Sequence, residues 1–377
     1  MNIGEIHNKA MELAALADLQ KVQGNKDHAI SLYEESFLLE SKAAMDAFNN
    51  NVGEPSISIL LRSAASLAMS CKKIREAEKL IALALSGEPP LEIAEELRNL
   101  LENVNFFRHL TVNGTELSDN EVQLVIAGKG VGYGYAKTDE VIRRIDSFKD
   151  LAARTVERLS GKSFRKGGPM APEYKKIVDN AYMSSLQAAS MAFRIKFGNP
   201  NEPTIPGLSH YETIIDDITE NITLINDNKI DKLKEKIKDT AYFSNFLALT
   251  KELAPDGNTV NFFGITSIKQ GKERKTVLTE KREKISEAIK VNQSESDTLN
   301  NTIDKGSNQT VSGILKVANA TKNTVAIITD DSIKIEMKVP DGLSDIVKKY
   351  WDEKVLVDYN KKNKKDNLLI NIEEDKE

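Results

Sequence analysis

Apolar residues recur at helical spacing through the first hundred positions of the chain. "NKAMELAALADLQKVQGNKDHAISLYEESFLLESKAAMDAF" sets Ala10, Leu13, Leu16 and Ala17 on one stripe. After Gly24 and Asn25 a second stripe carries Ala29, Ile30, Tyr33 and Phe37. Residues three and four apart share a helix face, so the pattern predicts two helices joined by a short turn. "LLRSAASLAMSCKKIREAEKLIALALSGEP" gives a fainter second pair, with Ala77, Ile81 and Ala84 and a closing Pro89. "PLEIAEELRNLLENVN" adds a capping helix.

From Phe107 the period changes. "RHLTVNGTELSDNEVQLVIAGKGVGYGYA" alternates and holds turn pairs at Asn113-Gly114 and Asp119-Asn120, which predicts strands near 108–112, 121–127 and 131–136. A long helix follows over about 139–160, with Asp139 and Glu140 in its first turn and Gly161 beyond its end. Val141, Ile142, Ile145, Phe148, Ala152, Val156 and Leu159 share its apolar face. A helix over 172–188, a strand in "SMAFRIKFG", and helices over 209–227 and 229–253 complete an α+β region. "TVNFFGITSI" and "KTVLTEK" predict two strands around a polar turn, "KQGKER". A short charged helix then leads into a polar linker at 292–309. The tail reads as three strands, one helix and two strands, the order of a small OB-type barrel, with an SH3-like barrel as the alternative.

Gly24, Ala29 and Tyr33 match the turn glycine, small packing residue and aromatic of a tetratricopeptide hairpin, which the opening helices resemble. Ala29 and Ala77 are 48 positions apart, longer than the usual period of about 34, and the polar insertion "NNNVGEPS" accounts for the excess. The whole sequence is similar to bacterial multidomain proteins with such an N-terminal region, on the stretch "EKLIALALSGEPPLEIAEELRNLLENVNFFRHL". That resemblance implies a groove for a protein partner and supplies no activity, because such repeats share a scaffold and not a ligand. The expected organisation is multidomain: an all-α helical-repeat domain over 1–105 and an α+β domain over 106–257 come first. A β-hairpin, helix and polar linker follow over 258–309, and a small β-barrel, OB-like or SH3-like, over 310–377.

Charge changes this picture only locally. The chain of 377 residues carries a net charge of −5, so no global basic bias advertises nucleic-acid binding. Residues 1–105 hold 10 Lys and Arg against 16 Asp and Glu, and the remainder 42 against 41. A single cysteine, Cys71, permits neither an intrachain disulfide nor a Cys-based zinc site. The N-terminus has no basic segment followed by a continuous apolar core, and no run of about 18 apolar residues occurs. A cytoplasmic location without membrane contact is the expectation.

The stretch "GKGVGYGYA" at 128–136 is the most site-like. Its glycines Gly128, Gly130, Gly132 and Gly134 fall at strand spacing, and neither register completes the Gly-x-Gly-x-x-Gly fingerprint. They predict close approach of a helix, a neighbouring backbone or a ligand. "GKS" at 161–163 fails as a phosphate loop, since position 156 is Val and a helix precedes it. Arg143, Arg154 and Arg158 lie on the 139–160 helix away from most of the apolar stripe, with Arg165 and Lys166 just beyond. Two readings stand: a mixed solvated face, or forked donors for an anion or RNA. In the barrel, Tyr350, Trp351 and Tyr359 accompany Lys361, Lys362, Lys364 and Lys365, which suits either a solvated turn or single-stranded nucleic acid. Adjacent acids at Asp216-Asp217 and Asp330-Asp331 diverge on any element, and His7, His28, His109 and His210 are scattered. No catalytic residue, metal or cofactor is assigned. The first expectation is a non-catalytic interaction scaffold with a protein partner on the helical domain. The alternative is a nucleic-acid or nucleotide sensor of a bacterial defence or stress system; an enzyme with a cross-domain site ranks below both.

Overall fold

Asn2 opens the first helix: its side chain accepts the Glu5 N–H at 2.8 Å while the Glu5 carboxylate accepts the Asn2 N–H at 3.0 Å. Each thereby satisfies a backbone donor that the helix start leaves orphaned. The computed structural model describes residues 2–113, 117–118, 120–128, 131–132, 135–178, 182–183, 191–198, 210–300, 307–363 and 366–375. The chain divides into two units, Met1–Glu116 and Leu117–Glu377.

The first unit is a run of antiparallel neighbours, α1 (Ile3–Val22), α2 (Lys26–Asn49), α3 (Ser56–Ser70), α4 (Ile74–Leu85) and α5 (Leu91–Asn113). Its core is rich in alanine: Ala10, Ala17, Ala29, Ala43, Ala64 and Ala77 are buried, and side chains this small let helix axes approach closely. Gly24 turns the first pair at φ +85°, a backbone region that glycine enters without steric penalty. Tyr33 is buried and donates its hydroxyl to Asp18. Two stripe residues do not face the core, since Leu16 and Ile30 are exposed. The strand expected at 108–112 is instead the end of α5. That segment continues a helix begun at Leu91 with no Gly or Pro before Gly114, and extending a helix is far easier than nucleating another element.

The second unit begins with β1 (Glu121–Ala127), β2 (Val131–Gly132), β3 (Tyr135–Ala136) and α6 (Thr138–Leu159). It continues with α7 (Pro172–Val178), β4 (Tyr182–Met183), β5 (Met191–Lys196), α8 (His210–Asn226), α9 (Ile230–Lys236) and α10 (Thr240–Leu253). Then come β6 (Phe262–Lys269), β7 (Lys272–Leu278) and α11 (Arg282–Asn300). The helix expected over 172–188 ends at Val178, and 179–181 and 184–190 lie outside the described residues. The helix expected over 229–253 is two, because Asp239 accepts the N–H groups of Ala241 and Tyr242 at 2.9 and 3.0 Å and starts a new one.

One five-stranded antiparallel sheet has the order β4-β5-β1-β6-β7. Leu124 on β1 sits opposite Phe193 on β5 and Ile265 on β6, and this face shares a core with Phe148 of α6, Ile218 of α8 and Leu247 of α10. The β6–β7 hairpin is therefore part of the same sheet as β1, and the boundary expected at 257/258 does not exist. Its turn is two residues, Gln270 and Gly271 at φ +51° and +71°, in place of the six-residue "KQGKER". Successive positive φ values match the right-handed twist of the flanking strands.

The chain ends with β8 (Ser307–Asn319), β9 (Thr324–Ile328), β10 (Lys334–Lys338), α12 (Ser344–Lys349), β11 (Lys354–Asn363) and β12 (Asp366–Glu374). These five strands close into a barrel with neighbours in the order β10-β12-β11-β8-β9. The β10–β12 pair is parallel and the others are antiparallel. Leu315, Val325, Ile327, Met337, Val355 and Leu369 are buried in the same core as the helices and sheet. Residues 292–300, expected to be linker, are helical, because no Gly or Pro interrupts 282–305. The multidomain α+β character holds, but the barrel is packed into its unit and not tethered to it. Lys251 of α10 donates to Asn371 Oδ1 and the Ile372 carbonyl at 2.7 Å each, and Tyr350 donates to Glu252 at 2.8 Å.

Candidate functional site

The close approach expected at the glycine stretch is real at Gly128, and a neighbouring backbone makes it. A Cβ there would lie 2.5 Å from the Thr259 carbonyl and 2.8 Å from Val260 Cα. Asn261 N–H donates to the Ala127 carbonyl at 2.9 Å, so the ladder itself fills the space. Gly132 lies in β2, opposite Tyr135; Gly130 and Gly134 lie outside the described residues.

The arginines of α6 are largely buried, and each is paired with a carboxylate. Arg154 is 4% exposed. Its Nε and Nη2 donate to Asp345 at 2.7 and 3.0 Å, its Nη1 to Glu157 at 2.9 Å, and its guanidinium lies 4.4 Å over the Phe164 ring. Burial alone would raise Asp345, but the hydrogen bonds and charge of Arg154, with Lys348, outweigh it and hold the carboxyl below its ordinary value. Arg143 donates to Glu374 at 2.7 Å, Arg158 to Asp217, and Arg165 to Glu157 at 2.7 Å and the Gly168 carbonyl at 2.6 Å. Lys166 pairs with Asp341 at 2.8 Å near the surface. The solvated-face reading of this helix is thereby corrected. Elements pack around most of α6, so Arg144, Arg154 and Thr155 are buried while Ile142 and Leu159 of the expected apolar face are exposed. Polar residues are buried here because each guanidinium finds a carboxylate, which composition cannot reveal.

The barrel carries the feature with room for a ligand. A groove of about 690 Å³ runs over β10 and the start of the β11–β12 turn. Lys334, Lys338 and Lys361 line it, as do Ile333, Ile335 and Glu336. Ile333 is 57% exposed. Alternation along "SIKIEMKV" explains the arrangement: Ile335 and Met337 turn toward the barrel core while Lys334, Glu336 and Lys338 point out. Asn367 donates to the Glu336 carbonyl at 2.9 Å and ties the hairpin to β10. Lys334 lies 4.0 Å from Glu336 at the surface, an exposed pair that parts at little cost. Three ammonium groups beside one exposed apolar side chain suit an anionic chain.

Of the lysines expected at this ligand face, Lys361 lines the groove, Lys362 belongs to β11, and Lys364 and Lys365 lie outside the described residues. The aromatics do not form an exposed stacking platform. Tyr350 is buried against Glu252, and Tyr359 is buried with its hydroxyl donating to Gln309 at 2.6 Å. Trp351 is exposed but follows α12 and does not line the groove. Sequence reasoning passed over Ile333, Lys334 and Lys338, although the strand alternation already placed both lysines on one face.

The remaining chemistry is sparse. Asp216 pairs with Lys269 at 2.7 Å and Arg274 at 3.2 Å, and Asp217 with Arg158 and Lys236. His7 Nδ1 lies 2.9 Å from the buried Glu40. Burial, then Glu34, pushes the Cys71 thiol up to about 11, which disfavours its thiolate at neutral pH. Among the described residues no group of His, Cys, Asp and Glu is arranged to hold a metal ion, and no helix is long and apolar enough to cross a membrane. No protein-family model, curated protein or solved structure matches the chain.

Proposed function

We propose that the chain is a non-catalytic binding protein whose C-terminal barrel holds a single-stranded nucleic acid in the groove over β10. The observation that carries this reading is the placement of Lys334, Lys338 and Lys361 beside the exposed Ile333 along one open groove. Phosphates would meet the ammonium groups while a base lies against Ile333. An OB-type barrel is favoured over an SH3-like one by the parallel pairing of its third and fifth strands and by a helix between the third and fourth. In such barrels the second and third strands and the turn between the fourth and fifth border the ligand, and the groove lies there.

The test is fluorescence anisotropy of labelled oligothymidylate and oligouridylate of about twelve nucleotides against salt. Three phosphate contacts give a log–log salt slope of about −2. Joint reversal of Lys334, Lys338 and Lys361 to Glu abolishes binding; unchanged binding in that variant overturns the assignment. A second reading, a protein partner on the tetratricopeptide-like helices, is favoured by one observation. Leu16, Leu19 and Val22 are exposed at intervals of three along α1. Deleting 1–116 would then remove a co-purifying protein and leave nucleic-acid binding intact.

A further inference from the structure

A second cavity adjoins the groove. It measures about 160 Å³ and lies between the loop at 163–168, the β8–β9 turn and α12. Thr324 lines both spaces, and it pairs with the groove residue Lys338 across β9 and β10. The cavity walls are apolar: Phe164, Val325, Val339, Pro340 and Val347. Phe164 is fixed in place by the Arg154 guanidinium over its ring and by the edge of Tyr242 at a centroid distance of 5.1 Å. One polar group in this wall is unsatisfied. Ser344 Oγ is buried and has no hydrogen-bond partner among the described residues. The Lys166–Asp341 pair also lines the cavity, at side-chain exposures of 64% and 43%. An ion pair that wet parts at little cost.

We infer that this cavity accepts one pyrimidine base of the strand lying in the groove, an inference that rests on the nucleic-acid reading above. Size selects the class. An apolar cavity of about 150 Å³ takes a benzene-sized ring, so a single six-membered ring fits and a fused purine does not. The apolar walls favour a flat ring removed from water. The Ser344 hydroxyl, donor and acceptor both, has no partner among the described residues where it lies beneath the wall. A turn about its Cα–Cβ bond would bring it to a ring carbonyl or ring nitrogen that would otherwise be buried without a partner. Bases splayed from a single strand are commonly read in this way, by an apolar slot and a few edge hydrogen bonds. Sequence preference would thus come from the cavity, and affinity for any strand from the lysines.

The experiment compares anisotropy titrations of labelled oligothymidylate, oligouridylate, oligodeoxyadenylate and oligoadenylate with the full chain. Pyrimidine strands bind about tenfold more tightly than adenine strands of the same sugar. Ala318→Trp, at an exposed position lining the cavity, fills it and brings pyrimidine binding down to the adenine level without changing the latter. Ser344→Ala shrinks the preference severalfold, and thermal melts matching the parent show both variants folded. A pyrimidine preference that survives Ala318→Trp, or equal binding of all four strands by the parent, overturns this inference and leaves the groove reading standing. Failure of every strand to bind overturns both.

Discussion

Replacing Arg154 by Met leaves Asp345 buried beside a hydrocarbon. In the parent, Asp345 accepts two hydrogen bonds from Arg154, one from Asn245 Nδ2 at 3.0 Å and one from Lys348 at 3.3 Å. Removing one partner of a buried pair costs about 3–5 kcal/mol, because the other charge loses its compensation. Losing the contact over Phe164 adds about 1 kcal/mol, while the remaining Asn245 and Lys348 bonds soften the loss. The expected destabilisation is about 4 kcal/mol at pH 7, or a melting shift of about 8–16 °C for a unit of this size. Urea unfolding followed at Trp351, the single tryptophan and part of that unit, measures it. The sign with pH follows from Asp345. Its folded value is depressed, so its contribution is present above about pH 4 and is lost as pH falls through that folded value. In the variant the carboxyl protonates readily, so the penalty shrinks in acid. A loss under about 1 kcal/mol at neutral pH, within the range of ordinary surface pairs, would refute the reading of Arg154 as a buried structural clamp.

Three further outcomes follow from the same physics. Gly128→Ala places a methyl against the backbone of residues 259–261, which cannot give way cheaply, and destabilises by about 2 kcal/mol or more in a urea titration. Glu40→Gln raises the melting temperature at pH 7 and leaves it unchanged near pH 3. Burial raises the Glu40 carboxyl above its ordinary value despite His7, so the folded state favours the protonated form and loses that stability as pH rises through the raised value. Tyr350→Phe leaves the buried Glu252 carboxylate without its hydroxyl donor and costs about 1–3 kcal/mol.

Local pattern determined most of the elements. The helices of 1–105, strand β1, helix α6 and the strand–strand–strand–helix–strand–strand tail follow from periods of 3.6 and 2, and the exposed lysines of β10 were already on one face by alternation. Length and breaking signals decided where pattern misled. The 108–112 segment alternates yet extends α5, and 292–300 is polar yet helical, because neither contains Gly or Pro. Asp239 broke a helix that apolar spacing alone would have run through. What tertiary structure alone decided is partnership. Arg143, Arg154 and Arg158 read as a solvated or anion-binding row, yet their carboxylates come from Glu374, Asp345 and Asp217, up to 231 positions away. The hairpin at 262–278 joins a strand more than a hundred residues earlier. A one-dimensional pattern fixes which face a residue occupies; only folding brings in the distant charge or strand that makes burying that face favourable.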